Sequence, residues 1–450
     1  MKIIEHNKAF DDRIYPGAFI GATFVASGVK NSIIIYHGYL GCNIESVHMR
    51  SDTIPGGFYT PIIATGLNEN DSIYGGLSKL KDTLKEVCRR KYDIIWVLTG
   101  DATSITADDI HSLSSLDIIP AGTKLISLDV PGFLGGIRKG TDIALAKLLE
   151  NTAVSIEKTN SICLVAPHLM GIKSHPIEAK EIKSLLNRCN ILTEHILSKQ
   201  LHIEDLDDIV KNRYFLSLCW ESMPELENFC QKHSIELLNP DIPLPIGIAN
   251  TEEWLLAIAD IFNNREKSQN ILLEDSKILK DQLKHNYNYS WLSTLYNEKT
   301  CSIYGHSQFA VSLARCFYYD FNIKPKVIAI LSETEEAIEK SKRLLSDMAN
   351  YTDFTLLINP DYYSYLQHIN EARIDFAVGS IQDKPLCTGA NIAHMSLSGF
   401  YFFNNYNFIP WPYTGITGTL SLLTELGFLM EKAFYYEKYW KNYAYKPAET

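Results

Sequence analysis

At 450 residues the chain exceeds what one hydrophobic core organises, so two to three domains of roughly 150 residues each are expected. With 46% apolar and 21% charged residues it reads as globular, and no stretch approaches the ~18 to 20 uncharged apolar residues of a membrane span. A net charge of −11, from 42 Lys+Arg against 53 Asp+Glu, with no dense basic run, excludes a phosphate-tracking surface, so nucleic acid is not an expected partner.

The chain starts Met1-Lys2-Ile3-Ile4-Glu5-His6, with charge where a secretory leader would carry its apolar region, and a cytoplasmic location is expected. Short β-branched runs at 32–36, 92–98 and 124–128, then 161–166 and 214–219, then 301–304, 326–331, 354–358 and 375–378 predict strands. Stretches of helical period, such as 77–90, 177–190 and 334–349, lie between them. This alternation builds parallel sheets through right-handed crossovers. Polar segments near 151–160 and 263–284 divide the strands into three groups. The expected fold is α/β, with three Rossmann-like domains whose parallel β-sheets surround a central cleft. Their expected spans are 1–158, 159–290 and 291–450, the last with C-terminal aromatic helices.

Nine cysteines (42, 88, 163, 189, 219, 230, 301, 316 and 387) include no Cys-x-x-Cys pair, which argues against a disulfide framework or a self-contained zinc site. There is no Walker A sequence. The glycines of Gly132-Phe133-Leu134-Gly135-Gly136-Ile137-Arg138-Lys139-Gly140 do not have dinucleotide spacing and read as a turn into a helix. Chemistry is expected in loops that leave the carboxyl ends of strands: 37–42, 99–101 and 219–223.

The segment Gly21-Ala22-Thr23-Phe24-Val25-Ala26-Ser27-Gly28, the strand after it and His37-Gly38-Tyr39-Leu40-Gly41-Cys42 resemble the start of the nitrogenase component 1 superfamily. That superfamily also holds protochlorophyllide reductase-like subunits and cofactor-assembly scaffolds. In the same order, Asp71-Ser72-Ile73-Tyr74-Gly75-Gly76, Asp108-Asp109-Ile110, Val130-Pro131-Gly132-Phe133, Ala166-Pro167-His168-Leu169-Met170-Gly171 and Trp411-Pro412-Tyr413-Thr414-Gly415-Ile416-Thr417-Gly418 resemble its later elements, over nearly the whole chain. No single motif is specific; their order and spacing are.

Cys42, at a strand end among the small residues Gly38 and Gly41, suits a thiolate on an iron–sulfur cluster, and the alternative is a buried free cysteine. The resemblance implies two further ligand places, which fall on Gly17 and Asp101. Glycine cannot ligate; Asp101 either ligates through oxygen or caps a helix. Cys219 resembles the anchor of a catalytic metal cluster, with a strand-end core cysteine as the competing reading, and the companion histidine falls on Thr414. Dinitrogen reduction is therefore not expected. His37 either serves a cluster as hydrogen-bond donor or proton carrier, or is a satisfied structural histidine. His168, His306 and His394 are given no role. The aromatics of 400–413 and 434–445 read as core and subunit contact.

The resemblance implies a nitrogenase-like oxidoreductase subunit reducing a substrate other than dinitrogen. It would share a 4Fe-4S-like iron–sulfur cluster with a homologous component 1 subunit in a heterotetramer, or with a second copy of itself. Electrons would come from an ATP-dependent Fe-protein-like reductase, and a second metal centre would lie near Cys219. The alternatives are a scaffold for metallocofactor assembly and a cluster-free binding subunit.

Overall fold

A computed structural model of the chain describes residues 1–6, 17–42, 60–150, 157–197, 201–285, 287–399 and 411–435. The aromatic positions Phe400 to Phe403, Tyr406, Phe408 and Tyr436 to Tyr445 lie outside them, as do the side chains of Phe434 and Tyr435.

Fourteen strands occur among the described residues: β1 (Lys2–Glu5), β2 (Ser32–His37), β3 (Ile62–Ala64), β4 (Ile94–Thr99), β5 (Lys124–Leu128), β6 (Thr159–Val165), β7 (Thr193–Ile196), β8 (Asn212–Ser217), β9 (Glu236–Leu238), β10 (Thr300–His306), β11 (Lys324–Leu331), β12 (Thr355–Ile358), β13 (Phe376–Gly379) and β14 (Ala393–Ser396). They form three sheets, in the orders β3-β2-β4-β5, β7-β6-β8-β9 and β1-β12-β11-β10-β13-β14. The strand pairings are parallel throughout, which is the α/β architecture of three Rossmann-like sheets expected from the sequence. The first strand joins the third sheet, Lys2 opposite Thr355 and Glu5 opposite Ile358.

Parallel sheets covered on both faces need continuous apolar strands, and β2 and β4 are buried along their whole lengths. Alternation of side chains decides which core each residue enters. In the second sheet, Ile162, Leu164, Tyr214 and Leu216 pack into one core with residues of the third sheet such as Ile303 and Ile330. Cys163, Val165 and Phe215 enter the other with Ile34, Trp96 and Leu98 of the first. The second sheet thus ties the other two together.

Small residues serve one close crossing. The buried helix Ala18–Ser27 lies against the helix Ile137–Leu149, and a Cβ at Gly21 would run into the backbone oxygen of Ile137, one at Gly140 into that of Ala18. The glycine-rich segment before that helix is a short 3-10 turn, Gly132–Leu134, as its spacing suggested. Among the described residues no helix is long and apolar enough to cross a membrane.

Candidate functional site: two strand-end clusters

β2 and β4 deliver the first cluster at the carboxyl end of the first sheet. Tyr36 and His37 are successive strand residues, so their side chains leave opposite faces. The Tyr36 hydroxyl hydrogen-bonds Cys42, and burial, then the neighbouring Cys42 and Asp101, push its ionisation well up. A Cβ at Gly38 would lie 2.5 Å from the Tyr36 ring, which is why a side chain is excluded there. Among the described residues, no atom lies within 4 Å of a Cβ built at Gly41. Cys42 itself is exposed, not the buried core thiol of the competing reading.

Asp101 opens the helix Asp101–Ile105, whose cap position is Gly100. Its carboxylate is exposed and accepts the Gly132 N–H at 2.5 Å instead of closing its own helix. Gly17 lies at the same spot. A Cβ built on it would fall 2.6 Å from Gly132 Cα and 2.8 Å from Gly132 O, and the residue bridges to Gly136. Asp101 and Gly17 thus meet the loop after β5, and Cys42 and Asp101 both lie near the Tyr36 hydroxyl, so that one place offers a thiol, one a carboxylate and one is blocked by backbone.

His37 faces the other way. Its Nε2 meets Asp108 Oδ2 at 2.8 Å and its Nδ1 meets Thr65 Oγ1 at 3.0 Å. Asp108 also accepts the Gly76 N–H, and Thr65 the Gly38 N–H. Burial pushes the imidazole pKa down, opposed by Asp108. Both ring nitrogens therefore hold loops together, which is the arrangement of a structural histidine.

Around this opening the strand-end loops carry large apolar side chains into solvent. Leu40 is 66% exposed, Ile73 72%, Tyr74 85%, Ile105 75% and Phe133 65%. A bond between Tyr39 and Ser72 ties two of these loops together.

The second cluster lies where loops from all three sheets meet. Cys219, after β8, is 1% exposed, and burial, then Glu221, push its thiol well up. Glu221 binds the loop after β11, accepting from Ser332 Oγ at 2.8 Å, Glu333 N at 3.1 Å, Thr334 N at 2.8 Å and Thr334 Oγ1 at 2.7 Å. Arg138, after β5, donates to Ser222 O at 2.7 Å and to Glu333 at 3.2 Å. Gln308 places its amide nitrogen 4.0 Å from Cys219 Sγ and also donates to Leu169 O. Thr414 points to another partner, the fully buried Glu178, which takes its Oγ1–H at 2.8 Å and its N–H at 2.9 Å. Cys219 is thus one thiol wrapped in amide, carboxylate and guanidinium groups, with no imidazole at the companion place.

A nitrogenase-type catalytic cofactor does not fit that donor set, whereas an iron–sulfur cluster fits the Cys42 and Asp101 surface if other ligands arrive from another chain. A third grouping went unread in the sequence: Asp383, Cys387 and His394, whose ligand atoms lie within 4.8 Å of one another. Asp-x-x-x-Cys on one helical turn, followed by a strand histidine, was its only signal.

Residues 17–430 match the family model of nitrogenase component 1 type oxidoreductases. The chain is 22% identical over 431 residues to the nitrogenase iron-iron protein beta chain of Rhodobacter capsulatus, covering 89% of this chain and 90% of that one. It is 23% identical over 382 residues to the nitrogenase iron-molybdenum cofactor biosynthesis protein NifE of Clostridium pasteurianum, covering 83% and 80%. The solved structure of nitrogenase Cp1 at pH 6.5 superposes with a TM-score of 0.77 at 19% identity, covering 96% of both chains.

Proposed function

The chain belongs to the nitrogenase component 1 type oxidoreductases, and we propose that it is one subunit of a cytoplasmic nitrogenase-like reductase, sharing an iron–sulfur cluster with a homologous chain or a second copy of itself. The observation that carries this reading is the exposed thiol of Cys42 beside the exposed carboxylate of Asp101, with Gly17 shut against Gly132. Two ligands cannot complete a four-iron cluster, so a neighbouring chain supplies the rest. The apolar rim of Leu40, Ile73, Tyr74 and Phe133 supports such a neighbour, because exposed aliphatic and aromatic groups gathered at one end of a sheet favour burial in an interface.

Bound there, the cluster would take up single electrons from an ATP-dependent iron–sulfur reductase. Cys42 and Asp101 would hold it, Tyr36 donates a hydrogen bond to the Cys42 sulfur, and His37 keeps the loop in place. Cys219, where loops from all three sheets meet, would serve a substrate other than dinitrogen or a second metal centre. The test is electron entry: anaerobically purified complex mixed with such a reductase and ATP develops a reduced-cluster signal in electron paramagnetic resonance. A complex that carries iron yet never accepts an electron would favour the assembly-scaffold reading, which the lone thiol of Cys219 and the likeness to NifE also support. A complex without iron would leave the cluster-free binding subunit.

A further inference from the structure

We propose that Asp383, Cys387 and His394 form a site for one divalent transition cation of the zinc class at the edge of the third sheet, apart from the Cys42 loop. Asp383 follows β13, Cys387 lies one turn further along the helix Lys384–Gly389, and His394 stands on the edge strand β14. The side chains of Asp383 and His394 are 0% and 1% exposed, and Cys387 is fully buried. Their ligand atoms converge within 4.8 Å.

Three features go beyond an ordinary histidine–aspartate pair beside a core thiol. The first is how the carboxylate is held: Asp383 Oδ1 accepts Ser380 N at 2.6 Å and Ser380 Oγ at 3.0 Å, which leaves Oδ2 for His394 Nε2 at 2.9 Å. Second, His394 Nδ1 lies 3.3 Å from Ser396 Oγ, the outer-shell partner that orients a ligating imidazole. Third, Gly379 leaves the space: a Cβ there would fall 2.5 Å from Asp383 Oδ1.

Thiolate, imidazole and carboxylate together suit zinc, a borderline-soft ion taking all three. With bond lengths of about 2.0–2.2 Å, a tetrahedral ion separates its nitrogen and oxygen ligands by roughly 3.4 Å. The pair therefore opens by about half an ångström to admit the ion. A zinc-class ion takes the Cys387 sulfur as thiolate, so binding releases a proton. A fully buried carboxylate whose only paired base among the described residues is His394 gains a compensating charge. The ion would pin the last strand to its sheet, and a water would complete its fourth position.

The experiment titrates cobalt(II) into the chelator-treated full chain carrying Cys42→Ala, which removes the exposed thiol. One equivalent should bind with a thiolate-to-cobalt charge-transfer band and raise the melting midpoint. Adding Cys387→Val should abolish the band. Should that variant fail to fold, His394→Gln, which keeps the thiol, should weaken binding beyond the roughly 10- to 100-fold typical of outer-shell changes. A folded chain that takes up no cobalt, or a band that survives Cys387→Val, or His394→Gln binding as tightly as its parent, overturns the site.

Discussion

Substituting Gly17 tests whether the missing ligand is missing for a steric reason. A Cβ there would sit 2.6 Å from Gly132 Cα and 2.8 Å from Gly132 O, against the ~3.5–4.0 Å at which carbon atoms rest. The backbones must part by about 1 Å, and the loop that moves is the one whose N–H binds Asp101. Overpacking of this size costs about 1–3 kcal/mol, which at roughly 2–4 °C per kcal/mol for a domain of 150–250 residues lowers the melting midpoint by about 2–12 °C. Gly17→Ala isolates the Cβ, and Gly17→Cys adds the absent thiol. Thermal melts should show both destabilised by a similar amount. Iron per chain after anaerobic purification should not rise in the cysteine variant. A Gly17→Ala melt within about 1 °C of the parent would show instead that the position tolerates a side chain and that no steric block excludes a ligand there.

Glu221→Ala leaves four donors of the loop after β11 without their carboxylate, and chemical denaturation should show a loss of about 3–5 kcal/mol, more than one unsatisfied buried group costs. His168 is buried and neutral, its pKa pushed down to about 3. The stability this lends is present above the unfolded value near 6.5 and is lost as pH falls toward 3, so His168→Gln should flatten the fall of the melting midpoint across that window. Asp101→Ala should impair cluster assembly or electron entry, while Cys219→Ala should leave the cluster spectrum intact and change only turnover or a second metal. Equal loss of one spectrum in both variants would merge the two sites.

The long strands were legible because each is a run of β-branched residues buried on both faces, as in Ile33-Ile34-Ile35 and Ile94-Ile95-Trp96-Val97. β1, β3, β7, β9 and β14 were not, being three or four residues long with several half-exposed positions. Too few turns of alternation remain in such segments to register a period. Cys42, Asp101 and Cys219 could be picked out by their places after strands. That Cys42 and Asp101 would share one surface, and that Thr414 would turn to Glu178, depends on contacts between segments far apart in the chain. The partners of His37 were hidden for the same reason: Asp108 lies 71 residues away and Thr65 lies 28.

The most direct test of the shared-cluster proposal is the iron and acid-labile sulfide content of the assembled, anaerobically purified complex with and without Cys42→Ala. A brown, iron-bearing assembly is expected, one that loses its cluster iron in the variant while the subunits still associate and His37 still holds its loop. An assembly whose iron and sulfide are unchanged by Cys42→Ala would contradict it.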